Sequence, residues 1–252
     1  MKQLVRFQHG PATAYGVLAG DGVQPIEGDL FGSQKPAGPI LPLGEVKLLF
    51  PVKAPKIFAV GLNYKSHLGS RTPPAQPEIF YKPISSLQNP GDPIVTPPQS
   101  KNMHFEGEIV AVLGKRSSRI SVDEARGAVL GVTCGNDVSE RDWQAGAAKD
   151  LQWWRAKGSD TFAPLGPSVV TGLDYGNLLL TTRLNGQVVQ RQYTSDLLFD
   201  IPTIVSFISQ WVTLEPGDLI FTGTPGSTSK LNPGDVVEVE IEGIGVLRNP
   251  VS

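Results

Sequence analysis

Glycine and proline break this chain into short segments, and this punctuation constrains the fold more than any other feature of the sequence. The 252 residues include 28 glycines and 22 prolines, spread along the chain in pairs such as NG, GP and PG. Such residues favour turns and interrupt regular structure, so long helices are not expected. Short apolar segments between turns are typical of strands. The sequence therefore predicts a mainly β protein with few short helices, of the α+β class.

Local signals place a few elements more closely. In SVDEARGAV, Ser121 is suited to cap a helix that has Asp123 and Glu124 in its first turn. A second, amphipathic helix is predicted near residues 201–212. The pair Asn185–Gly186 predicts a tight hairpin turn. Residues 1–50 are predicted to form a small N-terminal β domain, followed by a larger domain over residues 51–252.

Charge and composition exclude several classes of function. The formal net charge is −2, from 22 basic and 24 acidic residues, which does not favour a nucleic acid or an anionic membrane as partner. No run reaches the roughly 18 apolar residues of a membrane helix, and the N-terminus lacks a signal peptide. The single cysteine, Cys134, excludes an intrachain disulfide and a cysteine-based zinc cluster. We expect a cytoplasmic protein.

Three carboxylates form a candidate metal site. In HFEGEIVAVLGK, Glu106 and Glu108 stand two residues apart at the head of an apolar run, so a strand would place them on the same face. Asp137 follows another apolar strand and could supply a third ligand. Oxygen ligands alone suit Mg²⁺, Mn²⁺ or Ca²⁺ rather than zinc. The alternative is a solvated strand face without a metal. His104 is not counted as a ligand.

Several stretches together resemble the fumarylacetoacetate hydrolase family, and they occur in that family's order over residues 51–250. They are GLNYKSH (61–67), IFYKP (79–83), HFEGEIVAVLGK (104–115), GNDVSERDWQ (135–144), WRAKGSDTFAPLGP (154–167) and FTGTP (221–225). The resemblance implies a mixed β-sandwich or β-roll with a small N-terminal domain before the catalytic domain, and a homodimer. It also implies a divalent metal, commonly Mg²⁺, held by Glu106, Glu108 and Asp137. The implied substrates are small 2-oxo or 2,4-dioxo carboxylates, or their enols.

The resemblance further assigns roles to single residues. Arg141, Gln144 and Thr224 match positions that hold the substrate's carboxylate, and Lys82 is a further cation of the pocket. Lys157 matches a lysine beside the metal that could bind an enolate oxygen. His67 matches the general base, on a loop that acts as a lid. On the residues alone, Arg141 could instead only pair with Asp142 or another acid, and Lys157 could be a solvated loop lysine. Tyr81 and Trp154 are predicted to be packing residues.

One position departs from the family. Its decarboxylases and acylpyruvases carry a glutamate three residues after the histidine, whereas this chain has Ser70. The sequence predicts an enzyme of 2-oxo acid catabolism that works through a metal-stabilised enolate and breaks a C–C bond as a hydrolase or lyase. The substitution at Ser70 keeps open an isomerase or tautomerase of an enol acid. A second alternative is a non-catalytic binder of 2-oxo acids.

Overall fold

The computed structural model describes residues 1–252, and its regular structure is mostly β. The first nine strands are β1 (Lys2–His9), β2 (Ala12–Ala19), β3 (Gly22–Gly28), β4 (Gln34–Pro36), β5 (Leu41–Pro42), β6 (Lys47–Leu49), β7 (Ile57–Gly61), β8 (Glu78–Lys82) and β9 (Leu87–Gln88). The other ten are β10 (Met103–His104), β11 (Gly107–Leu113), β12 (Val129–Asn136), β13 (Ser139–Glu140), β14 (Ala163–Thr171), β15 (Leu179–Leu184), β16 (Gln187–Tyr193), β17 (Leu219–Phe221), β18 (Val236–Ile241) and β19 (Gly245–Pro250).

Five short α-helices accompany the strands. They are α1 (Lys65–Leu68), α2 (Val122–Arg126), α3 (Arg141–Gln144), α4 (Trp154–Gly158) and α5 (Ile201–Ser209). None of them is long and apolar enough to cross a membrane. The prediction of a mainly β protein with few short helices is therefore confirmed.

Most strands belong to one large mixed sheet of thirteen strands. Its path runs β4-β3-β2-β1-β14-β12-β11-β17-β7-β8, with β5, β6 and β9 attached at its sides. The β17–β7 and β14–β9 pairs are parallel, and the other pairs of this sheet are antiparallel. A four-stranded antiparallel sheet, β16-β15-β18-β19, and the two-stranded ladder of β10 and β13 complete the β structure.

Strand β11 lies near the middle of the large sheet, and every one of its residues is buried. Its side chains alternate between two cores. Ile109, Ala111 and Leu113 join the core that also contains helix α5 and the small sheet. Val110 and Val112 join the core formed with β7, β14 and β17. A strand buried on both faces explains the apolar run that follows Glu108.

The locally predicted elements form for the expected reasons. Ser121 caps α2 in a capping box with Glu124. Asn185 and Gly186 both adopt positive φ, 52° and 79°, in the hairpin between β15 and β16. The helix predicted near 201–212 ends earlier, at Ser209. Beyond it, the N–H groups of Trp211 and Val212 both donate to the Ile208 carbonyl, so bonds to the third and the fourth residue back close the end of the helix.

The N-terminal strands pair mainly with one another, but they are not detached from the rest of the chain. Strands β1 to β6 form a meander in which β1 pairs with β2 and β6. The same strand β1 also pairs with β14, through Lys2–Thr171 and its neighbours. The division of the chain near residue 50 stays a prediction.

Candidate active site

The ends of β11 and β12 bring the three predicted carboxylates together. Gly107 stands opposite Asn136 in this antiparallel pair, and the Asp137 N–H donates to the Glu106 carbonyl over 2.9 Å. As a result, carboxylate oxygens of Glu106, Glu108 and Asp137 all lie within 4.8 Å of one another. The three side chains are buried, with Glu108 only 1% exposed. The alternative of a solvated strand face is therefore wrong.

Three cations surround two of these carboxylates. Lys157 Nζ lies 2.5 Å from Glu106 Oε2 and 2.6 Å from Asp137 Oδ2. Arg141 contacts Glu106 Oε1 over 2.6 Å, and Lys82 Nζ contacts Asp137 Oδ1 over 2.6 Å. Lys82 also donates to the Lys157 carbonyl. Lys157 is thus no solvated loop lysine. Arg141 pairs with an acid other than Asp142, namely Glu106, as the alternative reading of this residue allowed.

The two lysines differ in how burial and neighbouring charges affect their pKa values. Burial opposes the charge of Lys157, but Asp137 and Glu106 outweigh it and raise its pKa above the ordinary lysine value. For Lys82, burial outweighs the attraction of Asp137 and lowers the pKa. Burial likewise works against the charge of Glu106, yet Lys157 and Arg141 hold its pKa below the ordinary value. Of the two lysines, Lys157 is therefore the more firmly charged.

Glu108 is the carboxylate that lacks a cationic partner. Its hydrogen-bond donor is the backbone N–H of Gly223, at 2.7 Å. Burial raises its pKa well above the ordinary glutamate value, and the charges of Asp137 and Glu106 raise it further. A buried, uncompensated carboxylate beside two others is the arrangement that a bound cation stabilises. The oxygen ligands present here fit a hard divalent ion such as Mg²⁺.

The predicted carboxylate-binding residues adjoin this cluster. Arg141 begins helix α3 and contacts Glu106, and its NH1 donates to Gln144 Oε1 over 2.7 Å, so Gln144 is joined to the cluster through Arg141. The Thr224 hydroxyl is already engaged, because it donates to the Gly107 carbonyl and accepts from Gln190 Nε2. The Thr224 N–H has no partner, and it is the group of this residue that could bind a ligand.

His67 lies on α1, at the edge of the site. The residue is half-buried, and its Nδ1 lies 2.5 Å from the Gly226 carbonyl. Two further bonds hold the helix, from Ser66 N–H to Asp196 and from Gly226 N–H to the Ser66 hydroxyl. Ser70 is exposed, and no carboxylate, Glu78 included, hydrogen-bonds to the His67 ring. A backbone carbonyl, and not a carboxylate, is thus the partner of the His67 ring.

Sequence reasoning missed several polar residues around the site. The Tyr64 hydroxyl is buried without a partner, and burial, together with the nearby charge of Glu108, raises its pKa. Gln190 orients the Thr224 hydroxyl from strand β16. Thr228 accepts a hydrogen bond from Arg141 NH2 over 2.8 Å. Tyr64 follows directly on the GLN of a matched motif, so a signal for it existed. Gln190 and Thr228 are brought in by the fold and stand in no motif.

Tyr81 and Trp154 do not pack as predicted. Tyr81 stacks near Phe58, with ring centroids 5.0 Å apart, yet it is 58% exposed, and Trp154 is 68% exposed. Both line an open groove of about 1340 Å³ together with Val95 and Leu151. The prediction that they pack within the chain is wrong, because their rings face this groove.

Comparisons with known proteins show what this chain is similar to. Residues 56–252 match the family described as fumarylacetoacetate (FAA) hydrolase C-terminal, and residues 2–51 match Rv2993c-like, N-terminal. Protein Rv2993c of Mycobacterium tuberculosis is 46% identical over 227 residues, which cover 88% of this chain and 84% of the relative. The human oxaloacetate tautomerase FAHD2A, mitochondrial, is 41% identical over 84% of this chain and 72% of its own length. The crystal structure of 2-hydroxyhepta-2,4-diene-1,7-dioate isomerase from Mycobacterium marinum is 39% identical, with a TM-score of 0.92 over 100% of this chain and 98% of that one.

Proposed function

Because the chain belongs to the fumarylacetoacetate hydrolase family, we propose that it is a divalent-metal-dependent enzyme that moves a proton at C3 of a small 2-oxo carboxylate. The reaction would interconvert the keto and enol forms, as an isomerase or tautomerase does. The observation that carries this choice is the environment of His67, which is oriented by the Gly226 carbonyl and has no carboxylate partner. The names of two relatives, an isomerase and an oxaloacetate tautomerase, point the same way.

We propose that Glu106, Glu108 and Asp137 hold the metal. The proposed ion is Mg²⁺, with Mn²⁺ and Ca²⁺ as alternatives. When bound, the ion supplies Lewis-acid stabilisation of the negative charge that develops on the enolate oxygen. Of the three carboxylates, Glu108 would be stabilised most by this ion, because its only hydrogen-bond donor is a backbone N–H. Lys157, between Glu106 and Asp137, would add a second positive charge close to that oxygen.

The charges of the site indicate a dianionic ligand. The three carboxylates carry three formal negative charges, and Lys82, Lys157 and Arg141 carry three positive ones. A divalent ion would leave an excess of two positive charges, which a dicarboxylate or an ionised enol of a 2-oxo acid would neutralise. Arg141 and Gln144 would bind the substrate's carboxylate, with the free N–H of Thr224 as a further donor.

His67 is proposed to be the general base. Donation of its Nδ1–H to the Gly226 carbonyl leaves Nε2 free to accept the proton from C3. A carbonyl can orient the ring, but it offers no second anionic acceptor that could hold and activate a water molecule. Proton transfer therefore needs only groups that this site contains, whereas hydrolysis would also need a group that holds and activates water.

C–C hydrolysis or lysis is the second candidate. It would use the same carboxylate cluster and the same Lys157, because cleavage next to a 2-oxo group releases an enolate as well. A non-catalytic binder is the third. A binder would not need a base such as His67 at the edge of the site, with its Nδ1 held 2.5 Å from the Gly226 carbonyl.

Proton NMR of acetylpyruvate with Mg²⁺ in D₂O would test the proposal and separate these candidates. The wild type is expected to accelerate hydrogen exchange at C3 without releasing acetate and pyruvate. Glu106→Ala should abolish the exchange. Ser70→Glu should gain cleavage if the missing carboxylate is what prevents water activation. Wild-type cleavage at the rate of exchange would instead establish the hydrolase, and binding without either reaction would establish the binder.

We also propose that two copies of the chain form a homodimer across the groove lined by Tyr81 and Trp154. Four large apolar side chains are exposed there, with Leu151 87% exposed and Val95 46% exposed. Exposed apolar surface of this kind marks an interaction site. Lys82 and Gly158 also line the groove. The partner subunit would therefore cover this side of the pair formed by Lys82 and Lys157.

The double variant Leu151→Lys/Trp154→Lys is expected to be monomeric, because it would place charges on the apolar surface of the interface. Light scattering coupled to size exclusion should give twice the chain mass for the wild type and a single chain mass for the variant. The exposed Trp211, which lies outside the groove, offers a control in Trp211→Lys, expected to leave the dimer intact. A monomeric wild type would contradict the proposal.

The physiological setting is proposed to be the catabolism of 2-oxo acids in the cytoplasm. Cys134 is free and fully buried, as suits a reducing compartment. Cell fractionation with an antibody against the chain would test the location.

A further inference from the structure

His104 has hydrogen-bond partners on both ring nitrogens, and the proposed function gives it no task. Its Nδ1 lies 2.9 Å from the Thr228 hydroxyl, and its Nε2 lies 2.9 Å from Asn102 Oδ1. It does not belong to the group of potential metal ligands. The side chain is half-buried beside Arg141, the residue that is proposed to bind the substrate's carboxylate.

The neighbours of His104 set the direction of each hydrogen bond. Asn102 Nδ2 donates to Asp142 Oδ1 over 3.0 Å, so Asn102 Oδ1 is the atom that faces His104. Because that oxygen can only accept, His104 Nε2 carries the proton and Nδ1 is an acceptor. The Thr228 hydroxyl must then donate to Nδ1, and its oxygen accepts from Arg141 NH2. The bonds therefore run in one direction, from Arg141 through Thr228 to His104 and Asn102.

The far end of this chain of bonds is firmly anchored. His104 pairs with Ser139 in the β10–β13 ladder and forms a bridge to Lys230. The carboxylate of Glu140, which is fully buried, accepts from the N–H groups of residues 101 and 102. Arg141 itself donates its backbone N–H to the Asn102 carbonyl. His104 is therefore a fixed point relative to the backbone of Arg141.

Arg141 needs such a support because its strongest partner is a predicted metal ligand. Its NH2 lies 2.6 Å from Glu106 Oε1 and 2.8 Å from Thr228 Oγ1. A bound ion would compete for the Glu106 oxygen and weaken the first contact. The bonds to Thr228 and Gln144 would then be the ones that hold the guanidinium in place.

We infer that His104 and Thr228 are positioning residues that orient the Arg141 guanidinium for the substrate's carboxylate. The inference rests on the proposed function for the identity of the ligand. The arrangement of the hydrogen bonds can be tested without it.

Removing the Thr228 hydroxyl tests the effect on binding. Thr228→Val keeps the side-chain shape but cannot accept from Arg141, and a hydrogen bond to a charged group affects affinity by about tenfold or more. We expect KM, and the Kd of oxalate measured by calorimetry with Mg²⁺, to rise about tenfold, with kcat changed less than threefold. Thr228→Ser should restore both values. Ser229→Ala, at the exposed next residue, is the control and should match the wild type.

Two His104 variants test the other end of the chain of bonds. His104→Asn keeps an acceptor close to the position of Nδ1 and should stay within threefold of the wild type. His104→Phe keeps a ring without an acceptor, so the Thr228 hydroxyl loses its orientation, and KM and the oxalate Kd should rise, by no more than in Thr228→Val. The chain has three histidines, so ¹⁵N spectra of the imidazole nitrogens can be assigned by substitution. They should show His104 protonated on Nε2 in the wild type, and a shifted Nδ1 signal in Thr228→Val.

The outcomes separate the inference from the proposed function. An unchanged KM and oxalate Kd in Thr228→Val, or no recovery in Thr228→Ser, would overturn the positioning role. So would a His104 ring protonated on Nδ1. If the wild type neither binds oxalate nor turns over acetylpyruvate, the proposed function fails. The spectra would then still decide whether the chain of hydrogen bonds exists.

Discussion

A Glu108→Gln variant is expected to lose about 10³-fold in turnover and most of its Mg²⁺ affinity, while its metal-free form unfolds no more easily than the wild type. A metal ion stabilises developing charge by several kcal/mol, and about 1.4 kcal/mol corresponds to a factor of ten in rate. In the metal-free protein, however, the Glu108 carboxylate is buried with only a backbone N–H as donor. A neutral amide of the same shape removes that buried charge.

Glu106→Gln provides the contrast. It should lose metal binding as well, but it also deprives Lys157 and Arg141 of their shared partner. Breaking a buried ion pair costs about 3 kcal/mol or more in the free energy of unfolding. Urea unfolding in EDTA and calorimetric Mg²⁺ titration of both variants would measure the difference. Glu238→Gln, on strand β18, serves as the control. Equal destabilisation by the two substitutions would contradict this assignment of charges.

The second large effect is expected at the lid. His67→Asn should lower the rate of C3 hydrogen exchange by about 10² to 10⁴, the usual contribution of a general base. Mg²⁺ and oxalate affinity should stay within threefold, because His67 does not belong to the group of potential metal ligands and its ring bonds only to the Gly226 carbonyl. The measurement is proton NMR in D₂O, with calorimetry for the two affinities.

The exposed His9 supplies a matched control for this variant. It lies at the end of β1, and His9→Asn should exchange C3 hydrogens at the wild-type rate. An exchange rate that survives in His67→Asn would show that another group abstracts the proton. Tyr64, whose buried hydroxyl has no partner, would be the next residue to substitute.

How much of the site is predictable depends on how each residue is brought to it. Glu106 and Glu108 could be paired from sequence because strand geometry alone places residues two apart on the same face. Asp137 could be added because it ends a neighbouring apolar strand. Thr228 could not, because its contact with Arg141 depends on a loop 87 residues away that no local pattern orients. Gln190 is separated from Thr224 by 34 residues, so no local pattern predicts their hydrogen bond either.

The same distinction applies to the fold. The Asn185–Gly186 turn and the Ser121 cap are set by residues within a few positions of one another, so their formation follows from the sequence. The order of strands in the large sheet is set by pairings such as β1 with β14, which join residues about 170 positions apart. The exposure of Trp154 is also a property of the assembled surface, and an apolar ring by itself predicts only burial.

The candidate site is built from two kinds of structure. The carboxylates stand at the ends of β11 and β12, and we expect the amide groups of these strands to exchange with solvent only when the central sheet opens. His67 stands on a four-residue helix held to the rest of the chain by a few side-chain bonds. Substitutions in that helix therefore cost little folding free energy. Substitutions around His67, such as a change at the exposed Ser70, can therefore alter the proposed base while the three carboxylates keep their places in the central sheet.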